Sequence, residues 1–245
     1  MRREALDKLL QKRSEPAPLA TKEITLPEYA EHEVGMIPQL AARFETAAQL
    51  PGAEYLAKLR YLILPIREAD AVPQPLRCKT LLELPRAAFG TVEPDTMRRL
   101  AALEGSGFAG VVANNLAQFG YASPLPVFGG LGLNVTNPMS AAEYVCLGAR
   151  GLLVQPETAL TAMRAVAPRQ KDGTPVPTAA LCYGHLPLML TRACPLRNVR
   201  TSCVGCTHKG KLRDRKGRDF PVRCSAPGSA GMRTVFNPVP LYMGD

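Results

Sequence analysis

Tryptophan is absent, histidine occurs three times, and aromatic residues make up 6% of the 245 positions. So few imidazoles leave no His-Glu-x-x-His pair, which removes the zinc-protease pattern. No Gly-x-Ser-x-Gly elbow marks a serine hydrolase, and no Gly-x-Gly-x-x-Gly follows a predicted strand, as a dinucleotide fold would require. Long apolar runs are also missing, and none approaches the ~18 residues of a membrane span. The opening Met1-Arg2-Arg3-Glu4-Ala5-Leu6 lacks the apolar stretch of a secretory signal. With seven cysteines, an odd count, and no export signal, the expected location is the cytoplasm. What is left is an ordinary globular composition, 46% hydrophobic and 21% charged, in a chain long enough for a full core.

Four of the seven cysteines crowd into the last quarter of the chain. Cys194, Cys203, Cys206 and Cys224 follow the spacing C-x8-C-x2-C-x17-C. In a reducing compartment such a group more often holds a metal than a disulfide. A structural zinc site usually takes two C-x2-C knuckles, or one knuckle and a His pair. Here there is one knuckle, and His208 has no second His at the required spacing. An iron–sulfur cluster accepts looser spacing, because each thiolate binds its own iron, and Cys194-Pro195 matches the C-P that ends bacterial ferredoxin runs. An iron–sulfur cluster, of the 4Fe-4S form, leads; zinc (Zn) and no metal at all stay open.

The net charge of +9 is unevenly spread. From Arg192 to Cys224 there are ten basic residues against two acids, Asp214 and Asp219, while the remainder of the chain is close to neutral. A patch of this kind can meet RNA phosphates or a small anionic substrate. It can equally be a solvated loop whose charge balances an anionic cluster.

Residues 2–13 place Ala5, Leu6, Leu9 and Leu10 at helical spacing, which predicts a short amphipathic helix docked on the body of the protein. A polar stretch to residue 36 reads as a linker. From Ile37 onward, short apolar runs alternate with helical stretches. The runs are Gln39–Phe44, Tyr61–Ile66, Thr80–Leu84, Phe108–Ala113, Val127–Leu133, Gly151–Val154 and Thr178–Cys182, with Leu186–Leu190 as a further candidate strand. Helices are predicted over Pro94–Leu103, Ser140–Leu147 and Pro156–Val166. Alternating strand and helix implies parallel strands with right-handed crossovers. The expected fold is therefore α/β: a (β/α) TIM-barrel-like domain, complete or incomplete, over residues 37–191, preceded by the helix and linker of 1–36 and followed by a small Cys-rich segment, 192–245.

Chemistry in such barrels gathers where strands end on their carboxyl side. Those ends carry Arg67, Glu83, Arg86, Asn114, Asn115, Asn134, Thr136, Asn137, Gln155, Glu157, Tyr183 and His185. This amide-rich rim suits a small hydroxylated or carboxylated ligand. Asn134 and Asn137 also suit Asx turns that cap the following helix. Glu83, Glu157 and His185 are the rim's candidate proton carriers. Cys78 and Cys146 read as packing residues, and Cys182 faces either core or pocket.

Tyr183-Gly184-His185-Leu186-Pro187-Leu188-Met189 and the Cys194-Pro195 that follows resemble the collagenase-like peptidase U-32 family. Lys211-Leu212-Arg213-Asp214-Arg215-Lys216-Gly217-Arg218-Asp219-Phe220-Pro221-Val222 resembles its L-x-D-R-x-G-x-x-F-P-V signature. Leu133-Asn134-Val135-Thr136-Asn137, Gln155-Pro156-Glu157 (with Gln where the family has Ser) and Asn237-Pro238-Val239-Pro240-Leu241-Tyr242 extend the likeness. The resemblance implies a barrel-type domain with a cluster on Cys194, Cys203, Cys206 and Cys224. It also implies peptidase activity by name, or hydroxylation of bases in transfer or ribosomal RNA, in some members with prephenate, or quinone hydroxylation in others. On this reading Arg213 and Arg215 meet RNA phosphates, and Asn114, Asn134 and Asn137 seat the hydroxyl donor or base. Arg2-Arg3-Glu4-Ala5-Leu6 resembles a segment found inside longer members, so a partner half supplying part of the site is a further expectation. A non-catalytic, RNA-binding role is the third alternative.

Overall fold

The computed structural model of the chain describes residues 2–15, 37–121, 125–195, 203–225 and 231–243. Helix α1 spans Arg2–Ser14. Its Leu6, Leu9 and Leu10 are all more than half exposed, so the docking expected of an amphipathic helix is not seen among the described residues. The linker expected up to residue 36 lies almost wholly outside them.

Each apolar run of the middle region forms a strand: β1 Leu40–Arg43, β2 Leu59–Pro65, β3 Thr80–Glu83, β4 Gly110–Ala113, β5 Val127–Gly129, β6 Ala149–Val154 and β7 Thr178–Ala180. They form one sheet in sequence order, every pairing parallel. An order without reversal has no switch point of the doubly wound kind, and right-handed crossovers then place every helix on one face. Such a sheet curls toward a barrel. Among the described strands β7 does not pair back to β1, so the barrel is open.

The crossovers carry helices α2 Ala53–Ala57, α3 Gln74–Arg77, α4 Val92–Ala102, α5 Pro138–Cys146 and α6 Leu160–Ala165. The first two are single turns that the hydrophobic period is too short to reveal. Leu62, Leu64, Leu82 and Leu84 meet Leu100 of α4 and Leu103 just past it in one core cluster. Leu152 and Val154 meet Ala141 of α5 and Met163 of α6 in a second. Strand β4 is buried at four successive positions, hence on both faces, as expected for a central parallel strand. In β5, Phe128 lies over Gly110 of β4 and Gly151 of β6, where an added Cβ would meet the ring at 3.0 and 2.7 Å. The small residues on either side make room for the large one.

The candidate strand at Leu186–Leu190 exists but belongs elsewhere. It is β9, Pro187–Thr191, in a separate four-stranded antiparallel sheet with β10 Lys209–Arg213, β11 Asp219–Cys224 and β12 Arg233–Phe236, in the order β10-β11-β12-β9. A two-stranded ribbon, β8 Tyr183–Gly184 with β13 Leu241–Tyr242, joins it to β7. The small sheet thus begins before residue 192, and the chain crosses from parallel to antiparallel pairing within a few residues of Ala180. Among the described residues, no helix is long and apolar enough to cross a membrane.

Candidate functional site

The carboxyl ends of β1, β2 and β3 carry a network of opposite charges. Arg43 closes β1, and its Nε (2.8 Å) and Nη2 (2.7 Å) both meet Oε2 of Glu83, which closes β3. Arg43 Nη1 also reaches Glu45 Oε2 at 3.1 Å, and Arg67 pairs with the other oxygen of Glu45. Partial burial works to lower the Arg43 pKa, but Glu83 and Glu45 outweigh it and raise the pKa above the ordinary arginine value. Burial would raise Glu45, and here Arg43 and Arg67 prevail and hold it below the carboxylate range. Burial pulls Arg86 down; Glu83 opposes this and Arg43 adds to it. Glu83, expected as a proton carrier, is therefore an ion-pair partner in this structure.

The amides after β4 are buried braces. Asn114 is 3% exposed and Gln118 2%. Asn114 Nδ2–H donates to the Leu84 carbonyl at 3.2 Å, and its Oδ1 accepts from Gly132 N–H at 3.2 Å. Gln118 Oε1 accepts from Asn114 N–H at 2.6 Å, while its Nε2–H donates to the Pro85 carbonyl at 2.7 Å. Two side chains thus stitch together the loops that follow β3, β4 and β5. Asn114 was expected to bind substrate; here its amide is occupied by backbone.

Farther along the rim, Asn134 stands in the left-handed region, φ 53°, which Asn tolerates better than most residues. Its Oδ1 accepts from Gln155 Nε2–H at 2.8 Å, so the two motif segments Leu133–Asn137 and Gln155–Glu157 are brought together. Asn137 is the N-cap of α5, accepting from Ser140 N–H at 2.9 Å. Glu157 is exposed in the turn ahead of α6, because the helix predicted from Pro156 begins only at Leu160. His185 is exposed beyond the ribbon, its Nδ1 2.7 Å from the Asn237 carbonyl. A carbonyl can only accept, so Nδ1 carries the proton and Nε2 of the neutral ring keeps its lone pair. Glu83, Glu157 and His185 sit on three different stretches of the rim, and no hydrogen bond or ion pair among the described residues joins them.

One end of the small sheet touches this rim. Its β9 starts just past the end of β7 and finishes where Arg192 lies over the ring of Phe89, 5.0 Å from the centroid, in the loop after β3. At that same end of the sheet all four clustered cysteines arrive. Cys194 lies three residues beyond β9, Cys224 ends β11, and Cys203 and Cys206 precede β10. Pairings Lys209↔Arg223, Cys224↔Arg233 and Arg233↔Thr191 place these ends side by side. The knuckle is a closed turn, Cys206 N–H to Cys203 carbonyl 3.1 Å, and Cys224 N–H donates to the His208 carbonyl at 2.9 Å. None of the four is in a disulfide. The backbone brings the four cysteines to one end of the small sheet, but among the described residues no three Cys, His, Asp or Glu side chains are grouped to hold one ion. Cys78, Cys146 and Cys182, read as packing or pocket residues, are exposed.

The basic segment, expected as one patch around the cysteines, is split in two. Its densest part is the β10–β11 hairpin tip, one strand length away, about 17 Å for five residues. Asp214 builds the tip, its Oδ1 accepting from Lys216 and Arg218 N–H, both at 2.8 Å. Arg213 does not face outward as an unpaired cation: Nε and Nη2 grip Asp219 at 2.7 and 3.1 Å, and Lys211 joins at 2.6 Å. Those hydrogen bonds hold Asp219 far below the usual carboxylate range and raise Arg213. Arg215, Lys216 and Arg218 are exposed, with no carboxylate within ion-pair reach among the described residues. The sequence reading missed Arg43, Gln118 and Asp219. The last was within reach, since the Asp214–Gly217 turn sets Arg213 opposite Asp219.

No protein-family model and no curated protein matches the sequence. One solved structure similar to this chain is that of the U32 peptidase Mk0906, with 13% identity, coverage of 62% of this chain and 71% of that one, and a TM-score of 0.46.

Proposed function

We propose that this chain is a U32-type enzyme that carries an iron–sulfur cluster on Cys194, Cys203, Cys206 and Cys224 and takes part in hydroxylating RNA bases. The observation that carries the reading is the arrival of these four cysteines, from two strand ends and one knuckle, at the end of the small sheet that touches the rim. A bound cluster would supply one-electron chemistry or an open iron for a ligand. The chain's own residues would do the rest. The hairpin tip Arg215, Lys216 and Arg218 would hold phosphates, the rim would seat the base, and His185 would offer Nε2 as a proton acceptor. A small anionic hydroxyl donor, of which prephenate is one candidate, would sit among the arginines at the ends of β1 to β3.

The test has two arms. Protein purified without oxygen should be brown and contain iron and acid-labile sulfide, and Cys→Ser at any of the four positions should reduce both. A colourless protein loaded with zinc would end the redox reading. In cells lacking the protein, the nucleoside profile of transfer and ribosomal RNA should lose one hydroxylated base. An unchanged profile together with cleavage of gelatin or casein by the pure protein would replace RNA modification with proteolysis.

A further inference from the structure

The ribbon of β8 and β13 presents two large aromatic side chains to solvent. Tyr183 and Tyr242 are direct cross-strand partners and are 67% and 64% exposed. Residues directly opposite in an antiparallel pair project on the same side, with Cβ atoms roughly 5 Å apart. Among the described residues neither ring has a stacking partner. The backbone beneath them is held firmly: Met243 N–H donates to the Cys182 carbonyl at 2.9 Å, and Leu186 and Asn237 bond both ways, at 2.7 and 2.9 Å. Both rings are left to solvent.

Their position relative to charge is specific. The ribbon adjoins the end of the small sheet where β12 finishes and β9 begins, since Phe236 pairs with Pro187. The pairing Arg213↔Asp219 turns the β10–β11 tip back at this same end. In the order β10-β11-β12-β9 the tip caps the first pair and the ribbon adjoins the last, about two strand spacings or roughly 10 Å across the sheet. Three exposed cations without carboxylate partners therefore flank an exposed aromatic pair at a distance that a few nucleotides of single strand can span. His185 lies next to Gly184 of the ribbon, with Nε2 available for a base edge.

We propose that Tyr183 and Tyr242 form a stacking platform for an unpaired base of single-stranded RNA, whose neighbouring phosphates are taken by Arg215, Lys216 and Arg218. This rests on the RNA reading above and adds where the strand is held. Every base has a π-face, so a tyrosine pair grips without reading sequence, and the cations supply the salt-dependent share of affinity.

The experiment is a binding titration of the full chain with a short single-stranded RNA and with the matching duplex, at several salt concentrations. The single strand should bind more tightly than the duplex. Tyr183→Ala and Tyr242→Ala should each weaken it roughly 5- to 100-fold with the salt slope unchanged. Tyr183→Phe and Tyr242→Phe should bind as the parent does, because the face is kept. The triple change Arg215→Ala, Lys216→Ala, Arg218→Ala should flatten the salt slope. A 2-aminopurine in the strand should be quenched on binding the parent and remain bright with the alanine variants. Full affinity and quenching in both alanine variants would overturn the platform while leaving the RNA reading intact. No binding of any RNA by the parent protein would overturn the RNA reading itself.

Discussion

Arg43 and Glu83 meet over the end of the strand that separates them, two guanidinium nitrogens on one carboxylate oxygen at 2.8 and 2.7 Å. They lie on β1 and β3, both neighbours of β2, so the contact clamps three strand ends at the open side of the barrel. Arg43 is 45% exposed at its side chain and Glu83 18%, which limits what the pair contributes. Glu83→Gln should lower stability by about 1 kcal/mol, and Arg43→Ala by a similar amount. The double variant should cost clearly less than the two together, because each single change strands the other charge. Urea unfolding of the four proteins reads the coupling; strict additivity would mean that the clamp does not hold in solution.

Asn114 and Gln118 make a stronger prediction because both are buried. Asn114→Ala leaves the Leu84 carbonyl and the Gly132 N–H without their partner, at a cost of roughly 2 to 3 kcal/mol. Gln118→Ala frees the Asn114 N–H and the Pro85 carbonyl, with a similar cost. Asn137→Ala removes only an exposed N-cap and should cost about 1 kcal/mol. Equal losses at Asn114 and Asn137 would contradict the bracing role.

These rim residues mark how far the sequence could be read. All seven strands of the large sheet overlap the apolar runs, and the central β3 and β4 do so most plainly because a strand covered on both faces is apolar throughout its length. Asn137 was readable as a cap, since Asn followed by Pro at the helix start is a local pattern. Arg43 with Glu83 was not, because their meeting depends on β1 and β3 flanking the same strand, 40 residues apart in the chain. The fate of Leu186–Leu190 was hidden for a related reason. Its partner β12 lies more than 40 residues later, and an apolar run looks the same whether it pairs parallel or antiparallel. The cysteines were legible as a group but not as an end of a sheet, and the basic run gave no sign that a hairpin would carry its tip a strand length away.

Glu45 gives the acid limb of the stability profile. Arg43 and Arg67 hold its folded pKa below the ordinary glutamate value, against the effect of burial. A depressed carboxylate contributes stability that is fully present above the unfolded pKa, about 4.3, and is lost as pH falls through the lower folded value. At pH 7, Glu45→Gln should therefore be the less stable protein, by up to about 1 kcal/mol. Below pH 4 the gap should shrink, since the parent carboxylate then takes up its proton. Urea midpoints at a series of pH values check this; a gap that widens on acidification would reverse the sign of the argument.

Gly132 supplies the sharpest steric test, because what it meets is backbone. A Cβ built there would lie 2.1 Å from the Asn114 carbonyl oxygen and 2.9 Å from its carbon. Neither atom can rotate away, and Asn114 is itself pinned by Gln118 and Leu84. Gly132→Ala must push apart the loops after β4 and β5 and break the Gly132 N–H bond to Asn114 Oδ1, a loss of roughly 3 kcal/mol or more. Gly217→Ala offers the comparison: it sits at φ 78° in the open hairpin tip with nothing near its Cβ, so it should cost only about 1 kcal/mol of backbone strain. If thermal unfolding ranks Gly217→Ala as the worse of the two, the close crossing of the rim loops at Asn114 is not present in solution.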